Sequence, residues 1–213
     1  MSGEPNTQPE HYVPRPRFSR LWLALLVVAA LAGLWRFAPS LLGLAPGLFT
    51  QERAVGGPFS LLDVTGKRVT DADLAGKPYA IFFGYTHCPD VCPTTLSDMT
   101  SWLQALGPDA SKLRLVFVTV DPARDTVAAM ADYMKAFDPR ILALTGSEAD
   151  IAKTLIAYRV YAKKTDEKGA DYGMDHTAAI YLMTASGDFK TVIGFGETSA
   201  AALSRLKELI SGG

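Results

Sequence analysis

Residues 79–93 read YAIFFGYTHCPDVCP. The first seven, 79–85, form a short unbroken apolar run, the pattern of a strand buried on both faces. Thr86, His87, Cys88, Pro89 and Asp90 then break the run. Asp90 is placed to cap a helix. Cys92 and Pro93 fall in its first turn, where a proline gives up no hydrogen bond. A strand entering a helix through a C-x3-C motif puts two thiols at one end of a sheet. The helix dipole and the free N–H groups of that turn are expected to favour a Cys92 thiolate.

The flanking sequence supplies the rest of a sheet. Residues 59–64 and 68–70, joined by Thr65-Gly66-Lys67, predict a small hairpin. A helix is expected over 96–106 and a second buried strand over 113–120 (LRLVFVTV). A helix over 126–137 takes Thr126 or Asp125 as its cap. A third strand, 141–144, precedes a helix that Ser147 caps and that runs to about Tyr158. Strands at 176–183 and 190–195, joined by Ser186-Gly187-Asp188, form a second hairpin, and an amphipathic helix over 198–210 closes the chain. Strands alternating with helices imply an α/β fold with a mixed central sheet flanked by helices.

The full chain has 213 residues and a formal net charge of −1, which gives no basic footprint for nucleic acid. Hydrophobic residues make up 48%, too many for a mostly disordered chain. Two cysteines and three histidines exclude a multi-bridge disulfide scaffold and a four-cysteine zinc site.

The N-terminal part is built differently. Residues 1–20 are polar, with Pro5, Pro9, Pro14 and Pro16, and read as a disordered cytoplasmic tail. Residues 21–41 are apolar apart from Arg36 and Ser40, and Arg36 near the end can snorkel to an interface. They are expected to form a transmembrane anchor with Trp22 and Trp35 at its edges. Arg15, Arg17 and Arg20 place the N-terminus in the cytoplasm by the positive-inside rule. The expectation is a single-pass protein of the bacterial inner membrane with its C-terminal domain in the periplasm. A cleaved leader ending near Ala30-Leu31-Ala32 is the alternative. Residues 42–57 form a linker, and residues 58–213 form the exported domain.

Both cysteines lie in the one motif, close enough to share a metal ion or to form a disulfide, and spacing alone does not choose between these. The third element is DYGMDHT, residues 171–177, just ahead of a strand. Its His176 is placed to face the thiols. Two thiolates and one imidazole make a soft three-coordinate set that suits copper, Cu(I) above all, whereas zinc would want a fourth ligand. His87 adjoins Cys88, but neighbouring side chains diverge, so it is expected to act electrostatically at most. Met174 is expected to fill the core. His11 lies in the tail and is given no role.

Three motifs in this order resemble the Sco/SenC family of copper proteins that serve cytochrome c oxidase assembly: GYTHCPDVCPTTL at 84–96, VTVDPARDT at 118–126, and DY…DHT within 171–177. Val127 departs from the family, which often has proline there. The resemblance covers residues from about 55 to 211 and implies a thioredoxin-like fold. It implies that Cys88, Cys92 and His176 bind one Cu(I) or Cu(II) ion, with Asp121 close behind the ligands. It further implies a metallochaperone that delivers copper to the binuclear centre of cytochrome c oxidase subunit II, supplied by an upstream copper donor and a thiol reductant. The alternative is a thiol–disulfide oxidoreductase that uses the Cys88–Cys92 pair, a disulfide when oxidised, to keep the acceptor's cysteines reduced. A thiol peroxidase or redox sensor is a third possibility on the same fold.

Overall fold

A computed structural model describes residues 20–41, 55–165 and 172–212; within the helix over 20–41, side chains are described from Trp22 to Gly33. The tail with His11, most of the 42–57 linker, and Asp171 lie outside these residues. The chain divides into two units, residues 1–52 and 53–213.

In the first unit, α1 (Arg20–Leu41) is a helix where the anchor is expected. Its described large apolar side chains, among them Trp22, Leu26 and Leu31, are exposed. Among the described residues, no helix is long and apolar enough to cross a membrane. Trp22 to Gly33 alone would rise only about 18 Å, against about 30 Å of hydrocarbon.

The second unit is built on a seven-stranded sheet. Its strands are β1 (Ser60–Asp63), β2 (Arg68–Thr70), β3 (Tyr79–Gly84), β4 (Arg114–Thr119), β5 (Ile141–Thr145), β8 (Ala179–Met183) and β9 (Phe189–Gly194), in the order β2-β1-β5-β4-β3-β8-β9. β3, β4 and β5 are parallel neighbours, while β1, β8 and β9 join antiparallel. Every residue of β3 is buried, as its unbroken apolar run requires. Phe82 and Phe117 are register partners on β3 and β4, and their rings stack with centroids 5.9 Å apart.

The helices are α2 (Asp71–Leu74), α3 (Val91–Leu106), α4 (Val127–Tyr133), α5 (Glu148–Ala157) and α6 (Ser199–Ser211). α3 buries Cys92, Thr95, Leu96, Met99, Trp102, Leu103 and Leu106, a stripe at three- and four-residue spacing. It packs against α6, while α4 lies on β5 and α5 on β1. Thr126, Ser147 and Thr198 cap α4, α5 and α6 by accepting hydrogen bonds from backbone amides three residues on. Of the two caps expected for α4, Thr126 takes the role and Asp125 goes elsewhere.

The expected strand over 176–183 is two strands. β7 (Met174–His176) leaves the main sheet and pairs with β6 (Ala162–Lys164), an element that the sequence reading missed, in a separate two-stranded ribbon. The break falls at Thr177, whose amide donates to the Tyr161 carbonyl at 3.0 Å and whose hydroxyl accepts from the Tyr161 amide at 3.1 Å. β6 is short and polar, and it has no periodicity to announce it.

The Phe82–Phe117 stack joins the two central strands. Phe117→Ala is expected to destabilise the fold by about 3–5 kcal/mol, read as a lower urea midpoint with an unchanged slope.

Candidate functional site

β3 ends at Gly84, and the chain turns back so that the Cys88 amide donates to the Tyr85 carbonyl at 3.4 Å. α3 then begins at Val91, with Cys92 and Pro93 in its first turn. Cys92 is fully buried and Cys88 only partly so, and both thiols are free. A Cβ on Gly84 would lie 2.8 Å from the Cys92 sulfur, with Phe82 and Phe117 also under 3.2 Å. The sulfur is therefore seated directly on the bare backbone of β3.

Asp90 stands at the N-cap position, but its carboxylate caps no backbone amide. It accepts instead from the Thr94 hydroxyl at 3.4 Å. The first-turn amide of Cys92 donates to the Cys88 sulfur at 3.4 Å. The favourable end of the helix thus acts on Cys88. Burial pushes the Cys92 thiol well up, reinforced by Cys88 and Asp125 nearby. The expected Cys92 thiolate is corrected on this ground: full desolvation outweighs a helix terminus that another sulfur already occupies.

His176 comes from the last residue of β7, and its Nε2 lies 3.6 Å from the Cys92 sulfur. Its Nδ1 lies 3.1 Å from the Thr177 carbonyl oxygen. An Nδ1–H donating to that oxygen leaves the Nε2 lone pair aimed at the thiol, the tautomer that a metal ligand needs. Phe82 and Tyr85 meet the ring edge-on, with centroids 6.3 and 5.8 Å away. Burial lowers the His176 pKa, against the Thr177 carbonyl and Asp175, so the ring is held neutral. Cys88, Cys92 and His176 are thus neighbours. Among the described residues, however, no three histidine, cysteine or acidic side chains are already gathered as a metal cage.

Among the described residues, His87 and Met174 have contacts of their own beside the dithiol. His87 is exposed, and its Nδ1 faces the Thr86 hydroxyl at 3.0 Å and Asp125 at 3.9 Å. Met174 packs against the core, while its amide donates to the Tyr85 hydroxyl at 3.3 Å. Asp121 is buried behind the site. It accepts from the Tyr172 hydroxyl at 2.7 Å and from Arg124 Nε. None of its hydrogen bonds reaches a sulfur or His176.

The sequence reading missed the residue that holds the dithiol loop. Asp125 is fully buried and accepts from the Thr86 amide at 3.1 Å, the Thr86 hydroxyl at 2.6 Å and the Thr119 hydroxyl at 2.6 Å. Its own carbonyl accepts from Thr145 at 2.6 Å. Burial raises its pKa against the pull of the Thr119 and Thr86 donors. Asp125 lies 39 residues from Thr86, so no local pattern pairs them.

A buried dithiol at the end of a central strand, faced by one imidazole on a mixed sheet flanked by helices, is consistent with the thioredoxin-like class. The SCO1/SenC family model matches residues 49–211, and the chain belongs to that family. The solved structure of Bradyrhizobium japonicum ScoI with copper bound is 52% identical, with a TM-score of 0.69, over 73% of this chain and 99% of that one. Arabidopsis thaliana ScoI with copper bound is 37% identical, with a TM-score of 0.70, over 75% and 100%. The mitochondrial SCO1 homolog 1 of Arabidopsis thaliana is 42% identical over 144 residues, 67% of this chain and 43% of that protein. The chain spans about half the length of the curated relatives it matches.

Asp125→Ala strands three donors and is expected to cost at least about 3 kcal/mol, whereas Asp125→Asn keeps an acceptor and costs less. Because burial raises this carboxyl, its contribution is full below the ordinary aspartate value of 3.8 and is lost as pH rises through the folded value. The stability of wild type minus that of Asp125→Asn should therefore fall with rising pH and then level off. A difference that climbs with pH would mean that the three donors outweigh burial.

Proposed function

We propose that this protein is a membrane-anchored copper metallochaperone that hands copper to the binuclear centre of cytochrome c oxidase subunit II. The observation that carries the reading is the Cys92 sulfur 3.6 Å from a neutral His176 Nε2, with Cys88 on the same turn. Two sulfurs and an imidazole form a soft donor set suited to copper. Two relatives of the same fold are solved with copper on them. The anchor is α1, with Arg15 and Arg17 ahead of it and Arg20 as its first residue, and the domain lies on the periplasmic side of a bacterial inner membrane.

The residues divide the work unequally. Cys92 and His176 form the buried side of the site, and both arrive uncharged, so a cation that binds there displaces the Cys92 proton. Cys88 is the accessible side, where an acceptor thiolate can enter as a protein ligand leaves. Copper is the cargo, received from an upstream donor and released by ligand exchange.

The same asymmetry favours a second reading, thiol–disulfide exchange. The accessible Cys88 would attack an acceptor disulfide, and Cys92 would close the Cys88–Cys92 disulfide, leaving the acceptor as a dithiol. Turnover then needs an external thiol reductant. This route uses both cysteines and does not need His176.

The test is a Cu(I) titration of the reduced full-length chain in detergent against a competing chelator. Wild type is expected to bind one equivalent. Cys88→Ala, Cys92→Ala and His176→Ala should each lose more than about 100-fold in affinity, beyond the 10- to 100-fold cost of losing an outer-shell partner. Binding unchanged in His176→Ala would move the function to dithiol chemistry.

The protonated Cys92 thiol sets a second expectation. Between pH 6 and 8, copper affinity should rise about tenfold per pH unit for each thiol proton displaced. A pH-independent affinity would remove Cys92 from the ligand set.

A further inference from the structure

Five aromatic and charged side chains from four elements meet beside the site. The Tyr172 hydroxyl, just ahead of β7, donates to Asp121 on the loop after β4 at 2.7 Å. The Arg124 guanidinium, from the same loop, lies 3.7 Å from the centroid of the Tyr172 ring and donates through Nε to Asp121. It also lies 5.8 Å from the ring of Tyr85, at the end of β3. Tyr85 in turn accepts from the Met174 amide and meets His176 edge-on. Lys164, on the partner strand of the ribbon, lies 4.4 Å from the other end of this arrangement, the Tyr172 ring.

The β6–β7 ribbon needs such a fastening. It forms a sheet of its own, paired over Ala162–Lys164 and Met174–His176 and extended by one backbone hydrogen bond at each end, from Thr165 to Gly173 and from Thr177 to Tyr161. A two-stranded ribbon by itself is marginal in water. His176 sits at its end, and a ligand displaced by about 1 Å is a poor ligand. The hydrogen bond to a buried carboxylate and the cation stacked on the tyrosine are the strong contacts that tie the ribbon to the loop after β4.

We propose that Tyr172, Asp121 and Arg124 form a clasp that holds the β6–β7 ribbon and so sets His176 against the Cys88/Cys92 pair. They are positioning residues. Asp121 acts through Tyr172 rather than by facing the metal, which explains a buried acid behind the site whose hydrogen bonds reach neither sulfur. The link to copper rests on the function proposed above; the link to the ribbon does not.

The experiment has a metal-free arm and a copper arm, both on the reduced full-length chain in detergent. In Tyr172→Phe, which keeps the ring under Arg124, amide exchange at 174–177 is expected to speed up by about tenfold, the effect of losing one hydrogen bond to a charged acceptor on a local opening. Tyr172→Leu should do more, while the β3 and β4 amides stay protected in both. Exchange in the ribbon unchanged from wild type in both variants would overturn the clasp, whether or not the protein binds copper. In the copper arm, Tyr172→Phe should lower Cu(I) affinity by about tenfold in wild type and by nothing further in a His176→Ala background. An equal loss in both backgrounds would assign Tyr172 a general structural role and overturn the positioning claim. Failure of wild type to bind copper would instead count against the proposed function, leaving the exchange result to decide the clasp.

Discussion

The structure depends on one buried carboxylate. Asp125 sits in the core with its oxygens turned to Thr86 and Thr119 and its carbonyl to Thr145. These partners lie on the dithiol loop, β4 and β5. A single acid thus ties the turn that carries Cys88 to two neighbouring parallel strands. Burying a carboxyl is costly unless it is hydrogen-bonded. Here the donors are there, and the loop can take only the shape that supplies them. Four residues earlier, Asp121 turns the other way, towards Tyr172 and the ribbon that carries His176. The loop between β4 and α4 therefore holds both halves of the site.

Two effects compete at the thiols, and their relative size decides the chemistry. A helix N-terminus favours a thiolate by a modest amount that falls off within a turn. Complete removal from water disfavours it by far more. Cys92 is fully buried over Gly84, so desolvation wins there. Cys88 stands at the mouth and receives the first-turn amide. The pair is a shielded sulfur and an approachable one, an asymmetry suited to an exchange in which one ligand stays while another gives way.

The sequence was most informative where the signal is local. The apolar runs over 79–85 and 113–120 become the central strands, and the C-x3-C motif stands at the strand–helix junction. Ser147 and Thr126 cap the helices they precede. It was least informative where partners lie far apart in the chain. Asp125 looked like a helix cap because caps are judged by adjacency, whereas its donors are a turn 39 residues back and a neighbouring strand. His176 was placed in the strand that follows it, since nothing in residues 162–164 advertises a pairing partner. Tyr172 is only one letter of a motif in the sequence; its place beside the site rests on a hydroxyl reaching a carboxylate 51 residues away.

The separate ribbon gives the site unequal mechanical stiffness. Cys92 is set into the first turn of α3 against the backbone of β3, where any shift disturbs the packing of Phe82, Phe117 and Cys92 together. The imidazole is mounted on a short outrigger tied down by a few hydrogen bonds, ring contacts and the packing of Met174. The sulfur end is the anvil, and the histidine end is the arm mounted beside it on a ribbon outside the main sheet.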